Sequence, residues 1–389
     1  MKKATLKLTA LVMLMAGAIS ETQAQTSGTN DLSVVTTAVP FLRISPDSRS
    51  SGMGETGIAT SADAYSHFWN LGKIPFSTSK TNVGVTYTPW LKDLGLDDVY
   101  LLTLGGHHKL DDNSALSLGV RYFSLGSIQF TDGNGNTLNN FRPREFAIDL
   151  GYSRKLSSKD GLGIAIRYIS SDLAGGNFGG VNYKKGSSVA GDLHYFHTGA
   201  KENGAGLNWG VTLSNLGAKI GYTDDEDQQD FIPANIGVGA AYTKVFDADN
   251  KITFAVDLNK LLVPSPLVRQ TAETDSAFGV RLRDFRSKGV VSSWFSSFGD
   301  AEDGGGEELR EVTASIGAEY WYKNQFAFRA GYFYENPEKG NRKYFTLGAG
   351  LKYNMVGINF AYLMPSGSGV NRNPLSNTLR FSLSFDMDK

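Results

Sequence analysis

Two stretches near the end of the chain, LGAGLKY (Leu347 to Tyr353) and LRFSLSFD (Leu379 to Asp386), alternate between two kinds of residue. In the second, every odd position is Leu or Phe and every even position is Arg, Ser or Asp. An extended strand points successive side chains to opposite faces, so a period of two predicts β-strands with one apolar and one polar face.

The same period recurs along most of the chain. It is clear at Leu116–Tyr122, Phe146–Tyr152, Leu162–Tyr168, Ile252–Leu258 and Val356–Tyr362. Counting such segments predicts about fourteen strands: 81–89, 99–110, 114–125, 143–155, 160–170, 188–200, 205–216, 232–246, 250–260, 310–322, 325–334, 343–353, 356–364 and 376–387. In a water-soluble sandwich the apolar face would be the core, whereas in an outer-membrane barrel it faces lipid and the polar face lines the lumen.

Three observations favour the barrel, with all strands antiparallel. Many segments run about 10 to 13 residues, longer than the 5 to 6 usual in soluble proteins. Aromatic residues such as Tyr122, Tyr152 and Tyr353 recur at strand ends, where a girdle meets the head groups. The connections alternate between short and long, and in such barrels short turns face the periplasm and long loops the outside. We therefore expect both termini on the periplasmic side, and Arg167 and Asp257 facing the lumen.

The N-terminus and the composition define the cellular compartment. Lys2, Lys3 and Lys7 precede an apolar run, Leu8–Ile19, that is too short to cross a bilayer of about 30 Å as a helix. Residues 1–24 are therefore predicted to be a secretory signal peptide. The chain has no cysteine, which excludes a disulfide scaffold and a Cys nucleophile. A net charge of -1 is too small to favour nucleic acid as a partner.

These observations predict that the chain has three parts. They are the signal peptide, an N-terminal plug or lead-in segment at 25–80, and a transmembrane barrel at 81–389 with long loops at 171–187 and 261–309. Residues 25–80 precede the first predicted strand and are rich in Gly, Ala and Ser. A barrel of about this size encloses enough space for such a segment. The segment is therefore expected to fold back into the lumen.

A family resemblance rests on this segment. GMGETGIATSADAYSHFWN, Gly52 to Asn70, is similar to the N-terminal signature of FadL-like fourteen-stranded outer-membrane barrels. TTAVPFLRISPDSRSSGMGE, Thr36 to Glu55, resembles more narrowly the PorV (LptO) family of the type IX secretion system. The family tends to have Asn-Pro-Ala after the aromatic pair, and Asn70 is followed here by Leu-Gly-Lys. The residues of this chain that match the signature are Gly52, Met53, Gly54, Asp63, Phe68, Trp69 and Asn70.

The resemblance implies a non-enzymatic shuttle in the outer membrane, without a cofactor. Such proteins receive secreted cargo, through its C-terminal signal domain, from a giant outer-membrane translocon and pass it to a cell-surface sortase or attachment complex. The expected form is a monomeric barrel within a larger complex, in contact with outer-membrane lipids and lipopolysaccharide. The alternative is a FadL-like transporter of hydrophobic small molecules, and fold alone does not choose between the two.

Two loops carry the candidate binding residues for cargo or translocon. Asn177 and Phe178 lie in a Gly-rich loop, where an apolar ring needs either a partner or the barrel rim to cover it. The second loop places Val290, Val291, Trp294, Phe295 and Phe298 on one helical stripe. The stripe could rest on the membrane surface, cap the barrel mouth, pack on its own barrel or hold a protein partner.

Other candidate chemistry is weak. His107 and His108 are neighbours on a strand and point to opposite faces, and strand geometry likewise separates His194 from His197, so we expect no metal site. Residues 224–227, Asp-Asp-Glu-Asp, could collect divalent cations near lipopolysaccharide or form a solvated acidic loop. No Ser-His-Asp arrangement can be recognised, and no catalytic residue is proposed.

Overall fold

The structure is a computed structural model that describes residues 33–91, 95–131, 137–178, 181–225, 228–267, 269–270, 272–301, 304–365 and 378–387. The predicted signal peptide at 1–24 lies outside the described residues. The side chains of Asn177 and Phe178 also lie outside the described part of the chain.

Fourteen strands close into one antiparallel barrel in which strands that follow each other in the chain lie side by side, and the first strand pairs with the last to complete the ring. The barrel strands are β1 (Thr81–Pro89), β2 (Val99–Lys109), β3 (Ser114–Leu125), β6 (Arg144–Lys155), β7 (Asp160–Asp172), β10 (Gly186–Thr198), β11 (Gly206–Gly217), β12 (Asn235–Val245), β13 (Asn250–Leu261), β14 (Thr313–Tyr322), β15 (Phe326–Tyr334), β16 (Lys343–Tyr353), β17 (Val356–Pro365) and β18 (Leu379–Met387). The predicted strand number is confirmed, and each predicted boundary lies within three residues of the observed one.

The barrel is inverted in polarity relative to a soluble protein. On β6 the outward Leu150 exposes 60% of its surface, whereas the adjacent Asp149 is fully buried inside. On β18 the outward Phe381 is 41% exposed and the inward Arg380 only 1%. Closing the sheet satisfies the strand hydrogen bonds and leaves an apolar outer face suited to lipid. The alternation in the sequence therefore determines which side chains face lipid and which face the lumen.

The connections alternate in length as predicted. Two long ones carry small hairpins, β4 (Ile128–Thr131) with β5 (Thr137–Phe141) and β8 (Gly176–Phe178) with β9 (Val181–Tyr183). The longest holds three helices, Asp275–Ser287, Val290–Ser296 and Gly305–Arg310. Short helical turns also occur at Pro40–Arg43, Ser48–Ser51, Ser66–Trp69, Leu71–Phe76 and Pro337–Lys339. No helix among the described residues has the length and apolar character needed to span a membrane.

Both chain ends are expected at the short-turn end, and the N-terminus itself lies outside the described residues, but the first described residues of the N-terminal segment lie at the long-loop end. The Ser33 amide donates to the Glu338 carbonyl at 3.1 Å and the Ala38 amide to the Phe231 carbonyl at 2.9 Å, and both acceptors lie in long connections. Thr81, by contrast, pairs with Met387 at the short-turn end. The segment thus runs the length of the barrel before the first strand begins, a path that segment length and composition do not specify.

Single cysteines test this path, because the chain has none of its own. Cysteine at the exposed Thr36 and at Ser292, on a helix of the longest connection, should react with an impermeant maleimide on intact cells. Cysteine at Asp112, in the turn between β2 and β3, should react only after the outer membrane is broken. Labelling at Asp112 with protection at Ser292 would mean that the barrel has the opposite orientation.

Candidate functional site

The N-terminal segment, residues 33–80, is bonded to the inner face of the barrel. The carboxylate of Asp257 on β13 accepts the backbone amides of Gly57 and Ile58 at 2.7 and 2.9 Å. On β10, Nδ1 of His194 accepts the Leu71 amide at 2.9 Å. Similar contacts come from β1, β2, β3, β14, β16 and β18. Inward groups on many strands therefore bind this one segment.

The small residues of the signature permit close approach to the wall. Gly54 has a φ of 68°, which favours glycine, and its amide donates to the Thr346 hydroxyl at 2.8 Å. A Cβ at Gly54 would stand 2.5 Å from the Ile316 carbonyl oxygen and 2.6 Å from the Tyr332 nitrogen. Gly52 approaches β16 in the same way, with a Cβ there 2.9 Å from Gly348 Cα. Side chains at these two positions would push the segment off the wall.

The aromatic end of the signature is held by polar contacts. Nε1 of Trp69 donates to the Asp47 carboxylate at 2.7 Å, and the other oxygen of Asp47 caps a helical turn by accepting the Ser50 amide at 2.8 Å. The ring of Phe68 lies beneath the Arg121 guanidinium, 4.7 Å from ring centroid to guanidinium carbon. The signature therefore folds as a tight, internally bonded unit.

The turn in which the sequence departs from the family pattern is closed by Asn70. Its side-chain oxygen accepts the Gly72 amide at 2.9 Å, and its side-chain nitrogen donates to the carbonyls of Ile58 and Tyr195 at 3.2 and 3.0 Å. A Cβ at Gly72 would lie 2.7 Å from the Gly161 carbonyl oxygen. Asn70 thus ties the turn to both the segment and the wall without a following proline.

A cluster of charged side chains fastens the segment to strands β14 and β15 of the wall. Arg49 donates to both oxygens of Glu319 on β14, at 2.9 and 2.8 Å, and to Asp63 at 2.9 Å. Arg329 on β15 donates to Glu319 at 2.7 Å. A two-point arginine–carboxylate contact sets orientation as well as position. Sequence reasoning missed this cluster, although charged residues at inward positions of apolar strands were its signal.

A second charge cluster lies within the wall. Arg167 on β7 donates to Asp149 on β6 at 2.6 Å and to Asp192 on β10 at 2.9 Å. All three side chains are nearly inaccessible to solvent. Arg167 faces the lumen, as predicted, and its guanidinium group joins two neighbouring strands of the wall.

The helix stripe predicted in the longest connection has two sides. Val290 packs against a small apolar cluster that contains Val35, Phe231, Leu261 and Val263. Trp294 is half-buried. The opposite side, which we call the loop apolar surface, consists of Val291, Phe295 and Phe298, exposed by 59, 76 and 54%. Isolated exposed apolar residues are ordinary, but three on adjacent turns of one short segment form a patch that a partner can cover.

The other predicted loop is a hairpin, in which Phe178 pairs with Val181. Its sequence-based role in binding stays a prediction.

In the acidic loop, the Lys184 ammonium donates to Asp224 at 2.7 Å, and this hydrogen bond lowers the pKa of the Asp224 carboxyl. The ion pair uses one carboxylate that a divalent cation would need. Glu226 and Asp227 lie outside the described residues.

Comparison with known proteins places these features in a family. The family described as "Type IX secretion system protein PorV" matches residues 27–268, which is more than half of the chain. The chain belongs to the PorV family. The match covers the N-terminal segment and the strands from β1 through β13, where the signature and most of its wall contacts lie. Membership also places the protein in the outer membrane and in the setting of type IX secretion, and no enzyme family is indicated.

Solved structures give the same fold. The Ralstonia pickettii toluene transporter TbuX is 10% identical and aligns over 91% of this chain and 98% of its own, with a TM-score of 0.51. The Pseudomonas putida toluene transporter TodX is 12% identical over 92% of this chain and 100% of its own, with a TM-score of 0.48. At such identities the likeness concerns the fold alone, and the match to TbuX agrees with a closed outer-membrane barrel. A search of curated proteins found no significant match.

Proposed function

We propose that this PorV-family barrel is a shuttle that binds secreted cargo at the type IX translocon and delivers it to the surface attachment complex. The family match over residues 27–268 carries this proposal. In it, the cargo is recognised through its C-terminal signal domain. The barrel acts as a monomeric platform within the larger secretion complex.

The contacts between residues 33–80 and the inner face of the barrel support protein binding at the rim over transport through the barrel. Residues 33–80 act in this proposal as a plug, fastened by Asp257, His194 and Glu319 from three parts of the wall. Opening a route for a solute would break several buried charge-assisted hydrogen bonds, each worth about 1.5 to 3 kcal/mol. The alternative, FadL-like transport of hydrophobic small molecules, is supported by the fold alone.

The test is a pull-down of the tagged protein from gently solubilised outer membranes. The shuttle requires secreted proteins and a very large translocon among the bound partners. Recovery of the barrel with small hydrophobic molecules, and with neither kind of protein, would contradict the shuttle and favour the transporter.

The loop apolar surface supplies a prediction for this assay. Replacing Phe295 and Phe298 together by serine should cut recovery of cargo or translocon at least about tenfold, since truncating a binding anchor typically costs more than about 1 kcal/mol. Assembly should be unaffected, because both side chains are largely exposed in the free protein. Heat-modifiability on gels checks assembly.

The matched control is Phe246→Ser. Phe246 is 55% exposed, almost the same as Phe298, but it lies in the turn between β12 and β13 at the opposite end. The Phe246→Ser variant should leave the recovery of cargo and translocon unchanged. Equal losses from both ends would remove the case for the loop apolar surface.

A further inference from the structure

The helix that carries the loop apolar surface, Val290–Ser296, is fixed along one side. Val290 packs against the small apolar cluster described above, to which Val35 of the N-terminal segment belongs. Phe285, in the preceding helix, packs on the same cluster, and its ring meets that of Phe231 nearly edge-on at 6.1 Å between centroids. One side of the helix is therefore packed, while the loop apolar surface on the other side stays exposed.

Lys219, in the connection after β11, binds the turn between these two helices. Its ammonium donates to the backbone carbonyls of Arg286 and Lys288, the second at 2.7 Å, and lies 4.4 Å from the ring centroid of Phe231. The last carbonyls of a helix have no partner within the helix, and a cation near that end also suits the helix dipole. One ammonium thus holds the end of the first helix and the turn that leads into the second.

The backbone around Lys219 is itself bonded to the rim of the barrel. The amide of Ala218 donates to the Val189 carbonyl on β10 at 3.3 Å, and the amide of Ile220 donates to the Asp230 carbonyl at 3.0 Å. The Ile220 side chain is only 1% exposed and belongs to the largest apolar cluster of the rim. Lys219 therefore ties the turn to a fixed part of the wall.

The far end of the helix is held as well. One oxygen of the Asp300 carboxylate accepts the Ser265 amide at 3.3 Å, and the other lies 3.5 Å from the Lys288 ammonium. The Ser265 hydroxyl in turn donates to Glu311 at 2.7 Å. Lys288 and Asp300 stand just before and just after the helix, so its two ends are joined to each other and to the base of the connection.

We propose that Lys219 is a positioning residue that preorganises the loop apolar surface for its protein partner. That the partner is secreted cargo or the translocon rests on the proposed shuttle function. Binding to a surface that is already ordered avoids the entropy cost of ordering the helix in the complex. Without the ammonium, the two carbonyls at the turn would bond to water, and the helix would lose its fixed direction relative to the barrel.

Tryptic cleavage tests the hold of Lys219 on the turn, because trypsin cuts after Arg286 and Lys288, the two residues whose carbonyls accept its ammonium. The purified barrel in lipid nanodiscs is digested, and mass spectrometry gives the cleavage rates. Lys219→Met keeps most of the side chain over Phe231 but removes the ammonium, so cleavage at both sites should be at least about tenfold faster. Cleavage after Lys201, exposed in a short turn, is the internal reference and should not change.

The pull-down tests the effect on binding. Lys219→Met should lower recovery of cargo or translocon about threefold to tenfold, whereas Lys219→Arg, which keeps the charge, should retain most of it. Added to Phe295→Ser and Phe298→Ser, Lys219→Met should cause no further loss, because a positioning residue acts only through the surface that it positions.

Lys185→Met is the matched control. Lys185 is an exposed lysine of another long connection, and its ammonium also lies over a ring, that of Phe146, at 5.4 Å. This variant should leave both recovery and cleavage after Arg286 and Lys288 unchanged. Heat-modifiability on gels checks that each variant has assembled.

Unchanged cleavage after Arg286 and Lys288 in Lys219→Met would overturn the proposal, and so would wild-type recovery in that variant. A further loss on adding Lys219→Met to the two serine substitutions would also overturn it, since Lys219 would then act outside the loop apolar surface. Failure of the shuttle is a separate result. The wild-type protein would then recover neither cargo nor translocon, while the faster cleavage in Lys219→Met would remain.

Discussion

Replacing Arg49 by methionine should lower the free energy of unfolding by about 3 to 5 kcal/mol, the cost of removing one partner from a buried ion pair. Methionine keeps most of the length of the side chain but leaves Glu319 with Arg329 alone and Asp63 without its arginine partner. Glu319 is 2% exposed, so water screens its charge poorly. Urea titration in lipid vesicles, with the folded fraction read from heat-modifiable gel mobility, measures the change.

Two further variants separate the loss of a buried charge from the loss of contact between the N-terminal segment and the wall. Arg154→Met, at an exposed position near the end of β6, should change stability by less than about 0.5 kcal/mol. Arg167→Met should be as costly as Arg49→Met, because Arg167 also bridges two buried carboxylates. Only Arg49→Met should raise single-channel conductance, because Arg49 holds the N-terminal segment to the wall. Arg167 instead joins neighbouring strands of the wall to one another. Equal conductance in both variants would refute the role of Arg49 in fastening the N-terminal segment to the wall.

Leu150→Arg should cost about 2 to 4 kcal/mol, the range measured for arginine at the midplane of a barrel's lipid face. Leu150 stands near the middle of β6, 60% exposed, and its pairing partners on the adjacent strands are Leu118 and Ile166. The guanidinium would have to remain in hydrocarbon or bend toward the head groups. The same urea titration measures the loss.

Leu156→Arg is a control of equal chemistry and equal exposure. Leu156 is 61% exposed but lies in the short turn after β6, at the membrane edge, where the same substitution costs about 0 to 1 kcal/mol. A similar loss at both positions would mean that depth in the bilayer is not the cause. The assignment of the outer face to lipid would then be wrong.

The sequence alone predicted the strands, their number and the inverted polarity. Leu379 to Asp386 illustrates why, because the side chains that face lipid and those that face the lumen alternate within eight consecutive residues. Strand boundaries were predicted nearly as well, since turn residues follow directly where alternation stops. The helix at Val290–Ser296 was also visible as a stripe, but which of its sides is covered depends on Val35 and Phe231, which lie far away in the chain.

Only the tertiary structure decided the path of the N-terminal segment and the wall groups that hold it. The contact of Gly57 with Asp257 joins residues 200 positions apart, and that of Arg49 with Glu319 joins residues 270 apart. No local pattern specifies such partners, because many inward positions offer a polar side chain and the strand pattern does not say which of them the N-terminal segment contacts. Period and polarity are local properties of a strand, whereas the occupant of a barrel is chosen by the joint geometry of many strands.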